Sequence, residues 1–300
     1  MSRPLRFGIS VAPVAAAYRD IVSQVLTAER AGLDIVGIQD HPYQRRFLDT
    51  FALIADLLAR TSRLRVFPDV ANLQLRPPTM LAKAAASLDV MSGGRFELGL
   101  GAGGFGDAVV GMGGPRRTTR QAAEALEEAI PIIRAALDVG PEKRVVRGPG
   151  PHYAVPGYPP GPPPAHRIEI WVGAYRPRGL RLIGRLADGW VPSYGQMGPA
   201  AFRAASALID EAALAVGRDP TSVRRIYNLA GAITDGSGGD DPLIGPPDRW
   251  IDTLAGWGLD LGVDTFVFWP NEPGVGSIER FASEVVPAVR EAIESDGRAT

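Results

Sequence analysis

The sequence predicts a single (β/α)8 barrel. Short apolar runs alternate with longer amphipathic stretches, the alternation counts to eight, and 300 residues suit one barrel of that kind. A doubly wound open sheet would need fewer units and would place its cofactor loop early.

Leu5 to Val11 reads as a buried first strand, followed by a helix over 18–31 that Gly32 closes. Ile35 to Gln39 is the second strand, with an apolar-periodic helix over 50–60. Leu64 to Leu73 is the third, and Pro77-Pro78 opens a helix running to Met91, since proline suits a first helical turn. Ser92-Gly93-Gly94 stops that helix, and 96–100 is the fourth strand. A helix over roughly 118–138 follows. Ile168 to Val172, 190–192, 223–233 and 265–269 supply the remaining strands, with helices at 177–187, 199–216, 246–260 and 276–294. One insertion, 140–166, lies between the fourth helix and fifth strand. It is too rich in proline and glycine for a helix or strand interior, and reads as a surface excursion or a flap over the barrel mouth.

Composition narrows the chemistry. The net charge of -1 gives no general attraction to nucleic acid or anionic membrane. Without cysteine there is no disulfide, thiolate nucleophile or cysteine-bound metal. No apolar run reaches membrane length and residues 1–11 lack a leader pattern, so a soluble cytosolic protein is expected. The histidines have no metal-ligand spacing, no Gly-x-Ser-x-Gly elbow occurs, and Glu97 should lie inside the fourth strand rather than at its tip.

In a barrel, residues just past each strand meet at one face, where sites are built. Asp40 and His41 follow the second strand, and histidine can exchange a proton near neutrality. His152 and His166 fall in the insertion and read as ordinary surface residues. Gly99, Gly101 and Gly104 formally satisfy a dinucleotide fingerprint, but no acid-bearing strand follows about 20 residues on. The glycines of Gly101-Ala102-Gly103-Gly104 would instead let a planar ring approach the backbone. Gly173-Ala174-Tyr175-Arg176 leads into a helix start whose N–H groups favour phosphate, with Arg178 adding charge.

The run from Ser87 through Met91-Ser92-Gly93-Gly94-Arg95-Phe96-Glu97 to Gly103 resembles the signature of luciferase-like flavin-dependent oxidoreductases. Arg76-Pro77-Pro78 and Gly184-Arg185-Leu186-Ala187-Asp188-Gly189-Trp190 fit in order and spacing, so the resemblance covers nearly the whole chain, most closely the branch using coenzyme F420. The resemblance implies that Asp40-His41 touches the deazaflavin ring, with His41 stabilising or protonating it. It puts a non-prolyl cis peptide at Val70-Ala71, a bulge against the ring, and Asn72 at the ring edge. Gly101 to Gly104 and Asp107 would border ring and substrate, and Tyr175, Arg176 and Arg178 would hold phosphate. Sugar-phosphate dehydrogenases of this branch carry a glutamate near Gly104 and a tryptophan near Arg45; neither is present, which speaks against that substrate.

The expected activity is F420-dependent hydride transfer to or from a small organic substrate. The alternatives are an FMN-dependent monooxygenase using reduced flavin and oxygen, and a non-catalytic flavin-binding protein. The resemblance also implies a homodimer and a flavin or F420 reductase as cofactor supplier.

Overall fold

A computed structural model describes residues 3–140, 145–236 and 238–296. The chain runs through β1 (Arg6–Val11), α1 (Tyr18–Arg30), β2 (Ile35–Ile38), α2 (Thr50–Arg60), β3 (Arg65–Pro68), β4 (Ala71–Asn72) and α3 (Pro78–Ser92). Then come β5 (Leu98–Gly101), a short α4 (Gly106–Gly111), α5 (Thr119–Leu137) and a hairpin of β6 (Val146–Pro149) and β7 (Ala154–Tyr158). The rest comprises β8 (Ile170–Gly173), α6 (Pro177–Leu186), β9 (Gly189–Trp190), α7 (Pro199–Leu214), β10 (Arg224–Ile233) and β11 (Ile244–Gly245). The last elements are α8 (Pro247–Leu261), β12 (Thr265–Pro270), α9 (Val275–Arg280) and α10 (Val286–Asp296), with a π-helical turn over Phe281–Val285.

Local chemistry explains several boundaries. Asp49 caps α2 by accepting from Ala52 N at 3.0 Å, and Thr118 with Gln121 forms a reciprocal capping box at α5. Gly93 ends α3 at φ 68, the left-handed conformation that glycine adopts without cost.

Parallel pairing runs in the order β3-β2-β1-β12-β10-β9-β8-β5-β4. The two ends of that path are halves of the single third strand expected from sequence. β3 pairs with β2 and β4 with β5, and the Asp69–Val70 peptide between them is cis. Val66 bridges in parallel to Phe96, with Glu97 N donating to Val66 O at 3.1 Å, and this closes the circle at eight positions.

Three layers fill the barrel. Ile35, Phe67, Trp171, Val191, Ile226 and Val267 form an apolar plug, with Phe67 edge-on to Trp171 at 4.9 Å and Val70 packed against it. Below the plug lies an ionic base. Asp34, Glu97, Glu169, Asp188 and Asp264 each stand one residue ahead of a strand, and each holds an arginine. Several also accept from a neighbouring strand's N–H, as Glu97 does from Glu169 at 2.8 Å and Asp188 from Ile170 at 2.8 Å. Glu97 is thus just ahead of its strand, at the end opposite the mouth. Above the plug the barrel opens into a cavity.

The insertion departs from its expectation. Its central part pairs as the β6–β7 hairpin, because the alternating Val146, Gly148, Val155 and Tyr158 outweigh the local prolines. The hairpin docks outside the barrel: His152 N and Tyr153 N donate to Glu128 of α5, and Lys83 Nζ of α3 donates to Gly161 O at 2.7 Å. No described residue of the insertion lines the cavity. The insertion's histidines are not ordinary surface groups either. His152 faces Glu124 at 3.6 Å, and His166 Nδ1 lies 2.7 Å from Asp89 Oδ1 with Nε2 3.5 Å from Glu97. Those hydrogen bonds to Asp89 and Glu97 raise the His166 pKa to about 9 against the cost of burial.

Candidate active site

The cavity has a volume of about 510 Å³ and opens at the C-terminal ends of the strands, within the range typical of small-molecule sites. Of the residues singled out in the sequence, Asp40, His41, Val70, Ala71, Asn72, Gly101, Gly103, Gly104, Gly173 and Tyr175 line it. Ala102, Asp107, Ala174, Arg176 and Arg178 do not. A second hollow, about 610 Å³, opens at the base beside Arg3, Asp210 and Asp264, but these side chains already hold partners within the chain.

Asp40 is buried and engaged. Arg76 Nε and Nη2 each donate to it at 2.9 Å in a bidentate pair, and Asn72 N donates at 2.8 Å. Burial opposes the Arg76 charge, but hydrogen bonds and attraction to Asp40 and Asp49 outweigh it and hold its pKa above the usual arginine value. The guanidinium also lies over the Phe51 ring at 4.5 Å. Asp40 therefore braces the turn after β2 and the backbone of β4.

His41 is half-buried beside it. Its Nδ1 lies 2.7 Å from the Tyr43 hydroxyl, and its ring meets Phe105 edge-on at 5.9 Å. Burial lowers the His41 pKa below the ordinary histidine value, and the Asp40 charge partly opposes that. The Tyr43 phenol is pushed up to about 12 by burial and by Asp40 and keeps its proton. Phe105 sits at φ 58, a left-handed conformation unusual for a large side chain, and is 69% exposed at the rim.

The bulge lies one residue earlier than the resemblance implies: the cis bond joins Asp69 to Val70, not Val70 to Ala71. Val70 fits because its neighbours lack side chains. A Cβ on Gly101 would lie 2.8 Å from Val70 Cγ2, and one on Gly173 would lie 3.1 Å away. Gln74 Nε2 pins the glycine loop by donating to Ala102 O and Gly103 O at 3.0 Å each.

Beyond β8, Tyr175 OH accepts from Ser193 N at 3.1 Å, and Ala174 O accepts from Trp190 Nε1 at 2.8 Å. Arg178 turns away to Glu124 and Glu127 of α5 at 3.3 and 3.5 Å. Arg176 is exposed, and among the described residues its side chain has no hydrogen bond or ion pair, which leaves it as the unpaired cation of that loop. Asp107 is 92% exposed and pairs with Arg116.

Sequence reasoning did not select Tyr43, Asp69, Phe105, Ser193, Gln196, Asn228 or Trp269, all of which line the cavity. Asp69 stands directly past β3, and Phe105 and Ser193 stand in the loops that follow β5 and β9, which was a usable signal. Asn228 lies within β10, and nothing in its local sequence marks it.

An eight-position barrel with a ligand-sized cavity at the strand tips defines a small-molecule-binding protein of the TIM-barrel class. The chain belongs to the luciferase-like monooxygenase family, whose model matches residues 5–237. It is 31% identical over 237 residues to a phthiodiolone/phenolphthiodiolone dimycocerosates ketoreductase of Mycobacterium sp. (strain JLS), covering 76% of this chain and 57% of that protein. It is 29% identical over 203 residues to an F420-dependent glucose-6-phosphate dehydrogenase of Microbacterium testaceum, covering 65% of this chain and 59% of that one. The chain thus spans under two thirds of the length of either relative. Among solved structures, the F420-dependent tetrahydromethanopterin reductase of Methanopyrus kandleri superposes with a TM-score of 0.80 at 20% identity, covering 95% and 99% of the two chains. An F420-dependent secondary alcohol dehydrogenase gives 0.83 at 17% identity over 96% and 99%. At those identities the likeness shows the fold.

Proposed function

We propose that this chain is an oxidoreductase that binds coenzyme F420 in the cavity and transfers a hydride to or from a small organic substrate. The observation that carries the reading is His41, its Nδ1 held by Tyr43, in the wall of a cavity lined by glycines. The relative named for F420-dependent glucose-6-phosphate dehydrogenase supports the choice of cofactor.

The residues fit such a group. Gly101, Gly103, Gly104 and Gly173 leave flat backbone walls, Val70 rises between two of them, and Asn72 and Asn228 put amides at the cavity edge. When bound, the deazaflavin supplies the two-electron hydride chemistry. His41, held at Nδ1 by Tyr43, is the imidazole that meets the ring, and Asp40 with Arg76 fixes the turn that carries it. Val70 and the plug beneath exclude water from below. Arg176 is the side chain available to the cofactor's phosphate.

The test is a paired titration of the purified protein with F420 and FMN, followed by quenching of tryptophan fluorescence, for which Trp269 lies in the cavity wall. F420 binding at least about tenfold tighter than FMN is expected, a difference of roughly 1.4 kcal/mol. The reverse order would favour an FMN-dependent monooxygenase, and binding of neither would refute the site.

A further inference from the structure

Two aspartates line the cavity, and the fold treats them differently. Asp40 has both oxygens on Arg76 and a backbone N–H besides. Among the described residues Asp69 meets no cation. Its Oδ1 accepts one hydrogen bond, from Asn228 Nδ2 at 3.2 Å, and no described group bonds to Oδ2. Asn228 is only 5% exposed, faces the same cavity, and its Oδ1 is buried without a partner. An unmet acceptor at that depth is costly unless a ligand supplies the donor. Among the described residues no arginine or lysine lines the cavity. An anionic substrate would therefore enter without a counter-charge and face a carboxylate.

The geometry points to Asp69 as the residue that exchanges a proton with the substrate's oxygen, held in place by Asn228, and to an uncharged carbonyl compound or its alcohol as that substrate. This inference rests on the hydride-transfer reading above. In the reducing direction the carbonyl carbon gains a hydride from a reduced flavin or deazaflavin, which is thereby oxidised by two electrons. The C=O π pair moves onto oxygen, and that oxygen takes the Asp69 proton, leaving alcohol and carboxylate; solvent then reprotonates Asp69. In reverse, the carboxylate takes the hydroxyl proton as hydride leaves the same carbon.

Burial pushes the Asp69 carboxyl up to about 6, with the Asn228 hydrogen bond pulling the other way. The group can therefore both give and take a proton near neutrality. Of its titratable neighbours, Tyr175 is the one whose phenol is raised partly by the Asp69 charge, after burial. Asp40, His41 and Tyr43 share the cavity wall.

The experiment compares the full-length protein with Asp69→Asn and Asn228→Ala. Binding of F420, read by fluorescence, should stay within about threefold in Asp69→Asn, under 1 kcal/mol. A loss of tenfold or more would mean that the pair holds cofactor, and would overturn the proposal. An infrared pH titration without cofactor should show a protonated-carboxyl band lost as pH rises through about 6; its persistence in Asp69→Asn would assign it elsewhere and count against the proposal. With reduced F420 and a panel of uncharged ketones (acetone, cyclohexanone, acetophenone), kcat in Asp69→Asn should fall by about 100-fold or more. The wild-type rate of reduction should decline as pH rises through about 6, because the acid form is consumed, and the variant should lack that limb. Asn228→Ala keeps the carboxyl but loses the bond that favours its ionised form, so the pH midpoint should move upward. An unchanged rate and profile in both variants would overturn the role of Asp69. Absence of turnover across the ketones would overturn the substrate class, as would tighter binding of glucose 6-phosphate than of cyclohexanone. If wild type bound neither F420 nor FMN, the functional reading itself would fail, while the infrared titration would still report on Asp69.

Discussion

At the base of the barrel, carboxylates one residue ahead of β2, β5, β8, β9 and β12 are matched to arginines, and several take a strand N–H as well. At the mouth, Arg76 binds Asp40, but among the described residues His41 and Asp69 each have a single side-chain hydrogen-bond partner and the Arg176 side chain has none. Buried charges and polar groups are costly unless paired. The base meets that requirement from within the chain. The mouth leaves it to be met from outside, which is how a binding site differs from a structural network in the same scaffold.

The comparison can be broken at either end. Removing a base carboxylate should damage stability. Glu97→Ala leaves Arg65 and Arg6 facing an empty site, and should cost about 3–5 kcal/mol in chemical denaturation; a loss below about 1 kcal/mol would mean the base is not a stabilising network. Removing a mouth residue should instead damage function. His41→Ala should slow hydride transfer by about 10²–10⁴-fold while thermal unfolding shifts by less than about 1 kcal/mol. Gly101→Ala tests the wall. Its Cβ would press on Val70 Cγ2 and drive that side chain into the cavity, weakening cofactor binding by about 1–3 kcal/mol in the fluorescence titration. Arg176→Ala should weaken binding of a phosphate-bearing cofactor by about tenfold, with a slope against salt. Arg178→Ala should do less, because that side chain is already paired with Glu124 and Glu127.

The smallest effect concerns pH. Hydrogen bonds to Asp89 and Glu97 raise His166 to about 9, above its unfolded value of about 6.5. Its contribution is therefore complete below about pH 6.5 and lost as pH climbs through about 9. With the ring a quarter exposed, the expected change is modest. His166→Gln should flatten the melting temperature between pH 7 and 9 by about 2–4 °C; an unchanged slope would remove His166 as its source.

The eight-unit pattern was legible because apolar runs and helical periods are local properties. So was the cluster of Asp40, His41 and the glycines, since residues past strand tips must converge. The break at Asp69–Val70 was not: the apolar run over 64–73 reads as one continuous strand, and Pro68, which cannot donate to a strand ladder and stands directly before the break, was passed over. The Asp69–Asn228 pair joins residues 159 positions apart and exists only once the barrel closes. Arg176 and Arg178 were both expected at the phosphate, and what separates them is Glu124 and Glu127 on the neighbouring helix. One signal was available and not used: an acidic residue directly before an apolar run, as in Asp34, Glu97, Glu169 and Asp264, marks the base of a strand.

The central claim is that the mouth is the end completed by a ligand. Hydrogen exchange of the protein with and without F420 tests it most directly. Protection confined to segments around 40–43, 69–72, 101–105, 173–176 and 193–196 is the predicted result. Unchanged exchange there, or protection centred on the base around Arg3, Asp210 and Asp264, would contradict it.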